Sequence, residues 1–458
     1  MGITDTIYSK LPSFLQNWVV SLYGLYWKWL RFGGEYNSFV KAYASRDIFS
    51  EEKWASFQSE NLKKLLQICM NTVPYYSREW TLAQKRAALN GDLFALPLME
   101  KAPFRANPND FVRIDRKPLF KITNYTSGST GTPIASIVTA SEMRKFMAIR
   151  EVRSAGWARV SFNEPRATFS GRLVEPDPES KGPFYRLNSV EQQVYFSPYH
   201  LRPDTAHFYI EALKRHKIQW MTGYAVSYYL LAKFVIEAGL EVPPLKGVIT
   251  TSEKLTPEMR LLMEKAYGCR VYEEYSTVEN VLFASECEHG RLHISPDAGV
   301  VEILRSDGSP CDPGEVGEVV ATSFLRTYQP LIRYRLGDLA AWDIEPCPCG
   351  RAMPVIKEVV GRLEDVVVGP DGRQLVRFHG IFTNQPNVIE GQIIQEALDR
   401  IRVKIVPTEG FSEIDTFDII NRVHQRIGKQ VEVVVELVQG IERTKYGKFK
   451  AVISLIQK

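Results

Sequence analysis

The feature that most constrains this chain is a glycine-rich loop at residues 124–133, with the sequence NYTSGSTGTP. Two glycines among small hydroxyl residues leave the backbone open, so N–H and O–H groups can converge on phosphate oxygens. Residues 134–138 continue directly as a predicted strand, which favours a structured loop over a flexible linker. The Walker ending, the dinucleotide fingerprint and the hydrolase nucleophile elbow are all missing from the loop. The loop is therefore predicted to bind phosphate in another way.

The overall composition is that of an ordinary globular protein. The chain has 458 residues, of which 45% are hydrophobic, and 57 Lys+Arg against 53 Asp+Glu give a net charge of +4. At roughly 100–200 residues per domain, this length corresponds to about two to four domains. A near-neutral balance gives no broad electrostatic footprint for DNA or RNA, so nucleic acid is not an expected partner.

The N-terminal segment carries an aromatic run, WVVSLYGLYW, at residues 18–27. This run is shorter than the ~20 residues that span a bilayer. It also lacks the basic start and the small-residue cleavage site of a secretory signal. We expect a helix that docks on the protein's own core. Weak peripheral membrane contact through this stretch is the alternative.

Cysteine usage indicates the compartment. The chain has 6 cysteines, which is too few for a disulfide framework at this length. Cys347 and Cys349, separated by one proline, suit metal ligands better than a disulfide pair. A reducing cytoplasm is therefore the predicted location.

Hydrophobic periodicity divides the chain into distinct parts. Residues 1–90 are predicted to be mostly helical, with one helix over 50–72. In the middle of the chain, short apolar runs alternate with helical patterns, which is typical of a layered α/β domain. Hairpins dominate around 287–350. A smaller unit follows, with a helix at 416–427 and a strand at 431–438.

Several further motifs occur in a fixed order. They are TSGSTGTP at 126–133, TSEKL at 251–255, YEEYSTVE at 272–279, GEVGE at 314–318, RYRLGD at 333–338, GRLED at 361–365 and YGK at 446–448. Together they resemble the motifs of the adenylate-forming enzyme superfamily. More narrowly, they resemble the phenylacetate–CoA ligase-like branch, which includes capsule- and surface-polysaccharide-associated members.

This resemblance implies an α/β fold with two domains. A large N-terminal domain has layered β-sheets flanked by helices, and a small mobile α+β domain follows it. The expected boundaries are 1–361 for the large ATP- and acyl-binding domain, 362–365 for the hinge and 366–458 for the lid domain. Glu364 takes the hinge position, where the family more commonly has Asp.

The resemblance also implies roles for single residues. Lys448 corresponds to the catalytic lysine, Glu279 to the magnesium ligand, and Asp338 to the residue that accepts hydrogen bonds from both ribose hydroxyls. Tyr275 corresponds to the ring along adenine and Arg362 to a nucleotide-facing arginine. The other expected nucleotide- and phosphate-binding residues are Thr126, Ser127, Gly128, Ser129, Thr130, Gly131, Thr132, Ser252 and Glu253.

Activation of a carboxylate by ATP requires positive charge, because the carboxylate and the α-phosphate repel each other. Magnesium near Glu279 and the ammonium group of Lys448 would supply that charge, while the loop at 126–132 holds pyrophosphate. The expected product is an acyl-adenylate, whose acyl group passes to coenzyme A or to an amine. The amine could be an amino sugar or amino acid in surface polysaccharide biosynthesis. The sequence leaves the acid, the acceptor and the oligomeric state open.

Candidate residues for the acid pocket are Tyr199, Tyr224 and the region of Arg172, although tyrosines at such positions are more often part of a core. Two other positions depart from the superfamily pattern. Ser276 replaces a glycine and Val278 replaces a threonine, and valine cannot donate a hydrogen bond to phosphate. These departures keep a second hypothesis open, namely a catalytically silent nucleotide-binding or scaffold protein of the same fold.

Two cysteine-containing segments form a candidate zinc site. Zinc prefers four nitrogen or sulfur ligands in a tetrahedron, and CEHGRLH at 287–293 with CPCG at 347–350 offers such donors. Several phenylacetate–CoA ligase-like members carry a site of this kind, with the later histidine as ligand. The expected ligands of a structural zinc are Cys287, His293, Cys347 and Cys349. His289 is the rival histidine, and a group of buried free thiols is the alternative.

Overall fold

A computed structural model describes Tyr8 and residues 11–125, 134–172, 174, 175, 177, 179–359, 367–375, 378–382, 385–441 and 451–456. The predicted phosphate loop at 126–132, the hinge with Arg362 and Glu364, and Lys448 lie outside the described residues. The domain boundary expected at 361–366 lies outside them too.

The helices are concentrated in the first third of the chain. They are α1 Ser13–Phe32, α2 Tyr36–Arg46, α3 Glu51–Thr72, α4 Pro74–Glu79, α5 Leu82–Asn90, α6 Lys101–Ala106, α7 Ala140–Ile149, α8 Ala206–Arg215, α9 Ala225–Ala238, α10 Pro257–Tyr267 and α11 Glu413–Ile427. A π-helical turn, Arg150–Ala155, continues α7, and short 3₁₀ turns occur at Pro108–Phe111, Pro198–His200 and Phe378–Phe382.

Twenty strands are described. They are β1 Lys121–Tyr125, β2 Ala135–Thr139, β3 Arg166–Phe169, β4 Tyr185–Asn188, β5 Gln193–Phe196, β6 Trp220–Tyr224, β7 Gly247–Thr251, β8 Val271–Ser276, β9 Phe283–Glu286, β10 Leu292–Ile294, β11 Gly299–Leu304, β12 Val316–Ser323, β13 Tyr334–Trp342, β14 Val355–Val359, β15 Val367–Val368, β16 Gln374–Leu375, β17 Val388–Ala397, β18 Arg400–Pro407, β19 Glu432–Leu437 and β20 Val452–Ser454.

One twelve-stranded sheet organises the larger part of the molecule, in the order β11-β12-β13-β14-β10-β9-β8-β7-β6-β3-β5-β4. Its parallel portion runs from β5 through β3, β6 and β7 to β8. Helices α8, α9 and α10 contribute buried side chains to the core on this parallel portion. Helices α3 to α6 pack against the antiparallel portion. The predicted α/β class is therefore confirmed.

A smaller unit follows β14. Strands β19-β18-β17-β20 form a four-stranded sheet, and α11 buries Ile419, Val423 and Ile427 in the core of this unit. The periodicity that predicted a helix at 416–427 and a strand at 431–438 corresponds to α11 and β19. The predicted second α+β unit is confirmed.

Local signals account for several elements. Ser50 accepts a hydrogen bond from the backbone N–H of Lys53 at 3.4 Å and caps α3, as the helix predicted over 50–72 requires. The strand predicted after the glycine-rich loop is β2, which pairs antiparallel with β1. The loop at 126–133 therefore joins two paired strands.

The docking predicted for the N-terminal aromatic helix is found on one side of α1 only, where Gly24 and Leu30 are buried and Phe32 packs against a hydrophobic core. Leu30 is fully buried, but nine large apolar side chains of this helix are exposed. They are Phe14, Leu15, Trp18, Val19, Leu22, Tyr23, Leu25, Tyr26 and Trp29. The side of α1 that meets the protein is mixed: it carries the polar residues Asn17 and Arg31 beside the apolar residues Trp27, Leu30 and Phe32. Among the described residues, no helix is both long enough and apolar enough to cross a bilayer.

Tyr199, a candidate for the acid pocket, lies elsewhere. It packs in the hydrophobic core of the smaller unit, where the guanidinium of Arg426 lies 5.6 Å from the centre of its ring. Its backbone carbonyl accepts a hydrogen bond from Arg373 at 3.4 Å. Tyr199 is therefore a core residue, the more common role stated for such tyrosines above, and it does not line the cavity that holds the other candidates. Tyr224 and Arg172 do line the cavity of the candidate active site, which is described below.

Candidate active site

A cavity of about 650 Å³ opens at the carboxyl ends of the parallel strands. Residues that directly follow β3, β7 and β8 contribute to its wall, together with residues from β13 and from the N-terminal helix. Open α/β sheets bind their ligands at this edge, because neighbouring parallel strands present their following loops to one crevice. Of the predicted site residues, Ser252, Glu253, Tyr275, Glu279 and Asp338 line this cavity.

Tyr275 and Asp338 form the most direct contact between two predicted site residues. The Tyr275 hydroxyl donates a hydrogen bond to Oδ2 of Asp338 at 3.0 Å. Tyr275 is near the end of β8, and Asp338 is in the middle of β13. The sheet thus brings together an aromatic ring and a carboxylate that are 63 residues apart in sequence.

The loop after β7 has a special backbone conformation. Ser252 has φ +73°, in the left-handed region that non-glycine residues rarely adopt. A residue is held in this region only where its surroundings impose it, and such positions concentrate at ligand sites. Ser252 lines the cavity, so its conformation agrees with a role in the site.

Glu253, the next residue, has a structural contact. Its Oε2 accepts a hydrogen bond from the backbone N–H of Val226 at 2.9 Å. Val226 lies in the first turn of α9, where N–H groups have no partner within the helix. The Glu253 carboxylate therefore caps α9 and complements its dipole, and this contact fixes the loop that carries Ser252.

Glu279 is buried and oriented by a tyrosine. Its Oε1 accepts a hydrogen bond from the Tyr334 hydroxyl at 3.1 Å, and its side chain lines the cavity. A buried carboxylate at a cavity wall fits a magnesium ligand, because hard cations prefer oxygen donors. The donor type and position of Glu279 therefore agree with the role implied by the resemblance.

Arg326 holds the backbone of Glu279 in place through a hydrogen bond. Its guanidinium donates to the Glu279 carbonyl oxygen, to Ser136 Oγ at 2.7 Å and to Gln329 Oε1 at 2.6 Å. Gln329 Oε1 also accepts the N–H of Ile137 at 2.7 Å. Ser136 and Ile137 belong to β2, so Arg326 links Glu279 to the strand that follows the predicted phosphate loop.

The two departures from the superfamily pattern are both at the cavity wall. Val278 is partly exposed there and offers no hydrogen-bond donor from its side chain. The Ser276 hydroxyl donates to Oε1 of Glu274 at 3.4 Å. The hydroxyl of Ser276 is thus directed to a neighbouring carboxylate in this structure.

The end of the cavity away from Asp338 is cationic. Four arginines line it, namely Arg31, Arg150, Arg166 and Arg172. We call this region the cationic end. Two carboxylates balance these groups in part: Glu191 accepts from Arg31 at 3.1 Å through both oxygens, and Glu274 accepts from Nε of Arg150 at 2.9 Å.

Arg166 is the most deeply buried member of the cationic end. It donates to the Phe162 carbonyl at 2.7 Å and to Gln193 Oε1 at 2.8 Å. Burial, with smaller effects from neighbouring charges that include Arg31 and Arg150, lowers the pKa of Arg166 to about 10. Four guanidinium groups against two carboxylates leave this end with excess positive charge.

Two groups at this end have donor capacity that the protein does not use. Among the described residues, no acceptor is found for the Nη atoms of Arg150, whose Nε alone bonds to Glu274. The buried Oγ1 of Thr222 also has no hydrogen-bond partner in the described part of the chain. Both residues line the cavity, so this end presents donors suited to a polar ligand.

Sequence reasoning missed the residues of the cationic end, apart from the region of Arg172. The sequences of β3 and β5 did contain a signal for a polar site. Arg166 and Gln193 are the first residues of these two short, mostly buried strands. Charged or amide side chains inside apolar strands are uncommon without a partner. That they meet in one cavity follows only from the strand order.

The four expected zinc ligands are brought together. Their donor atoms, from Cys287, His293, Cys347 and Cys349, all lie within 4.8 Å of one another. Cys287 Sγ is 3.6 Å from Cys347 Sγ, and Cys349 Sγ is 3.4 Å from Nε2 of His293. Tetrahedral zinc with Zn–S near 2.3 Å and Zn–N near 2.0–2.1 Å requires separations of roughly 3.8 and 3.6 Å. The donor set fits such a centre.

His293 rather than His289 belongs to the cluster. Nδ1 of His293 lies 3.2 Å from the Met353 carbonyl oxygen, which leaves Nε2 directed at the thiols. Burial lowers the pKa of His293 to about 4, so its imidazole is neutral near pH 7. His289 contributes its backbone N–H, which donates to Cys287 Sγ at 3.3 Å.

Comparisons with known proteins agree with this geometry. A family model described as the CapK C-terminal domain matches residues 368–455. The protein CapK of Staphylococcus aureus is 25% identical over 98% of this chain and 99% of its own length. A phenylacetate-coenzyme A ligase of Thermus thermophilus is 26% identical over 70% of this chain and 73% of its own.

Solved structures show the same fold. A 2-hydroxyisobutyryl-CoA ligase in the thioesterification state, in complex with its acyl-adenylate and CoA, has a TM-score of 0.57 and 20% identity, over 90% of this chain and 91% of its own. The postadenylation state of the same ligase has a TM-score of 0.53. Fold, ordered motifs and relatives together define an adenylate-forming ligase. Within that class, the chain is similar to a phenylacetate-coenzyme A ligase and to CapK, and its residues 368–455 match the model of the CapK C-terminal domain.

Proposed function

We propose that this protein uses ATP to convert a carboxylic acid to an acyl-adenylate, with release of pyrophosphate, and then transfers the acyl group to coenzyme A or to an amine. The observation that carries this proposal is one cavity lined by Ser252, Tyr275, Glu279 and Asp338, at the edge where the strand after the phosphate loop is anchored. The relative with phenylacetate-coenzyme A ligase activity in its name supports the acid-activating step.

Each of these residues has a separate role in binding the nucleotide or in the reaction. Asp338 accepts hydrogen bonds from the ribose hydroxyls, and Tyr275 both orients Asp338 and lies along the adenine. Glu279 would hold magnesium, which supplies positive charge at the phosphates when bound. Lys448 supplies a compact ammonium group, and residues 126–132 hold the leaving pyrophosphate. Arg362 faces the nucleotide, and the hinge at Glu364 lets the small domain exchange this lysine for the acceptor-binding face.

The lysine assignment is tested by ATP–pyrophosphate exchange with a Lys448→Ala variant. Removal of its charge is expected to reduce exchange at least ~100-fold, the loss typical for a group that stabilises transition-state charge. The folding transition should stay unchanged. Lys404→Ala, at an intermediate-exposure position in β18, serves as the matched control. Exchange at the wild-type rate in Lys448→Ala would contradict the assignment.

The cationic end bears on the class of acid. Arg150 and Thr222 offer unused donors, and the arginines carry excess positive charge. An apolar acyl group would leave these groups unsatisfied, at a cost of about 1–3 kcal/mol each. We propose that the acid has a polar or anionic group remote from the carboxylate that is activated.

A panel of acids identifies this class. Phenylacetate, aliphatic monocarboxylates, hydroxy acids and dicarboxylates of similar length are compared by hydroxylamine trapping. We expect hydroxy acids or dicarboxylates to be used best, and Arg150→Met to reduce their use while sparing apolar acids. Preference for phenylacetate, unaffected by Arg150→Met, would contradict the assignment of a polar acid.

The acceptor is resolved by the same assay with and without coenzyme A. The 2-hydroxyisobutyryl-CoA ligase structure in the thioesterification state, which contains CoA, supports the thioester route at the level of the fold. Resemblance to capsule-associated members supports an amine, such as an amino sugar or amino acid in surface polysaccharide biosynthesis. We propose a cytoplasmic enzyme, because ATP, magnesium and free thiols are available there.

We also propose that Cys287, His293, Cys347 and Cys349 hold a structural zinc. Three thiolates and one neutral imidazole leave no open ligand position, which is the pattern of a structural rather than a catalytic centre. The cluster contains none of the residues that line the main cavity, so its contribution is to stability.

A further inference from the structure

The outer face of α1 is apolar, exposed to solvent and for the most part not packed against the rest of the protein. This face consists of the nine side chains named above, among which Trp18 is 75% exposed and Leu22 71%. Single exposed apolar residues are normal on protein surfaces. A contiguous apolar face on one helix marks a binding surface for another molecule or a membrane.

Polar contacts hold α1 against β4, the edge strand of the large sheet. Asn17 accepts the N–H of Leu187 at 2.9 Å, and Lys28 donates to the carbonyl of Val190 at 3.1 Å. Arg31 pairs with Glu191. An amphipathic helix usually buries its apolar face against the core. Here specific polar contacts keep the apolar face outward.

The surface extends beyond the helix. The ring of Phe120 contacts that of Trp29, with centroids 4.8 Å apart, and the neighbouring Leu119 is 94% exposed. Arg116, Lys117 and Lys121 in the same segment are exposed basic residues. We call the outer face of α1 together with residues 116–121 the aromatic surface.

The charged side chains of the aromatic surface are all basic. Residues 11–34 and 116–121 contain no aspartate or glutamate. The neighbouring Asp115 is paired with Arg113 at 2.6 Å, and Glu35 is paired with Arg144 at 2.7 Å. The surface therefore combines apolar and aromatic side chains with uncompensated basic ones.

We propose that the aromatic surface binds the face of an anionic lipid bilayer, with α1 lying in the plane of the interface. Tryptophan and tyrosine favour the headgroup level of a membrane, and each basic residue near an anionic bilayer contributes about 1 kcal/mol. Interfacial helices have this combination of an apolar face and basic residues. A second copy of the chain is a poorer occupant, because it would bring the same positive charge against itself.

Membrane binding through α1 would place the cavity of the candidate active site next to the bilayer. The inner side of α1 contributes Trp27 and Arg31 to the cavity wall. One helix would therefore face the bilayer on one side and form part of the cationic end on the other. An acid or acceptor held at a membrane would be presented close to the cavity.

The proposal is tested by sedimentation of the full-length protein with vesicles. Pure phosphatidylcholine vesicles are compared with phosphatidylcholine vesicles that contain phosphatidylglycerol, at low and high salt. We expect binding to the anionic vesicles, weakened by salt because headgroup charge is screened. Absence of wild-type binding to anionic vesicles overturns the proposal.

Variants separate the apolar and the basic contributions. The double variant Trp18→Ser/Leu22→Ser should reduce binding at least ~10-fold, since two large exposed side chains no longer enter the interface. Its control is Ile414→Ser/Phe417→Ser, which removes two exposed apolar side chains from α11 and should bind as wild type. Arg116→Glu/Lys117→Glu should lose the preference for anionic vesicles, while Lys63→Glu/Lys265→Glu, with equal charge change, should keep it.

Two results would overturn the proposal even if some binding occurred. One is binding that the α1 variants leave intact, or that the α11 control loses equally. The other is a wild-type dimer in light scattering that Trp18→Ser/Leu22→Ser converts to a monomer, with no vesicle binding by either. That result would assign the surface to a second copy of the chain. None of these measurements depends on the acid or on turnover.

Discussion

At the scale of single residues, the hydrogen bond between Tyr275 and Asp338 makes a specific prediction. Tyr275→Phe keeps the ring but removes the donor that orients the carboxylate. A hydrogen bond to a charged group contributes about 1.5–3 kcal/mol, so we expect KM for ATP to rise roughly 10- to 100-fold with a smaller change in kcat. Steady-state kinetics with varied ATP measures this effect.

The matched control is Tyr272→Phe, on the same strand, whose ring packs on the guanidinium of Arg270. It should leave KM for ATP unchanged. If the two variants behave alike, the hydroxyl of Tyr275 has no special part in nucleotide binding. Asp338→Asn should have at least the effect of Tyr275→Phe, because it weakens both the tyrosine contact and the ribose contacts.

Glu273 predicts a pH dependence of stability. Burial, followed by repulsion from Glu286, raises the pKa of Glu273 to about 7. The folded carboxyl keeps its proton up to that pH, whereas the unfolded one loses it near 4.5. The unfolded state thus binds fewer protons in this window, and stability falls as pH rises from about 5 to 7.

Glu273→Gln should remove this cost. We expect the variant to unfold at the wild-type temperature near pH 4, and to gain on the order of 3 kcal/mol over wild type by pH 8, the free energy of a shift of this size. Thermal unfolding at several pH values tests this. Glu237→Gln, at an exposed position of α9, should show no such trend. A constant difference at every pH would rule out the titration of Glu273 as its cause.

At the scale of elements, Gly24 determines how closely α1 approaches β4. A Cβ at this position would lie 2.2 Å from Oδ1 of Asn188, a buried side chain that bonds to Glu191 at 3.0 Å. Gly24→Ala is therefore expected to destabilise the protein by about 1–3 kcal/mol through overpacking, although alanine favours helix by about 1 kcal/mol. Chemical unfolding measures the difference.

Leu22→Ala provides the control within the same helix, because Leu22 is exposed and makes no close approach to β4. Its unfolding free energy should be within about 0.5 kcal/mol of wild type. A stabilising Gly24→Ala would mean that helix propensity outweighs the contact with Asn188, and that α1 can move away from β4 at little cost.

The helix α1 also shows where sequence reasoning reaches its limit. Periodicity identified the helix and its aromatic side, but it cannot say which side meets the protein. That depends on β4, which lies more than 150 residues further along the chain. Elements with local signals, such as α3 with its Ser50 cap, were predictable. The strand order that collects Arg150 and Arg166 into one cavity was not, because it is set by long-range pairing.

The candidate site was predicted unevenly for the same reason. Motif order identified Tyr275, Glu279 and Asp338, and the structure places all three at one cavity. The choice of His293 over His289 came from resemblance, and its physical basis is position: His293 lies in β10, while His289 lies in the turn before it. Side chains alternate along β8, so Glu273 and Glu274 lie on opposite faces of the sheet. Which groups pack against each of these faces is known only from the structure.

At the scale of the whole molecule, the thiol cluster connects distant parts of the chain. Cys287 follows β9, and Cys347 and Cys349 precede β14. Trp54 of α3 and Trp157 pack in the same buried cluster as Cys287. A metal at this point would therefore hold the N-terminal helices, the π-helical region and the antiparallel end of the large sheet in one arrangement.

We expect the purified protein to contain one zinc ion per chain. Because metal binding free energy contributes to folding where the site forms only in the native state, chelation should lower the unfolding temperature by several degrees. Cys347→Ser should do the same and lose the metal. Elemental analysis combined with thermal unfolding measures both effects. Adenylation by Cys347→Ser, assayed well below its unfolding temperature, should remain close to wild type because the cluster lies outside the cavity.

Cys269→Ser is the appropriate control, since Cys269 is a partly buried thiol outside the cluster. It should keep the zinc and change stability by less than Cys347→Ser. Full zinc content in Cys347→Ser, or a metal-free wild type that is insensitive to chelators, would reassign the four residues to a buried group of free thiols. Loss of adenylation at low temperature in Cys347→Ser, with stability intact, would instead give the cluster a catalytic role that its closed ligand set argues against.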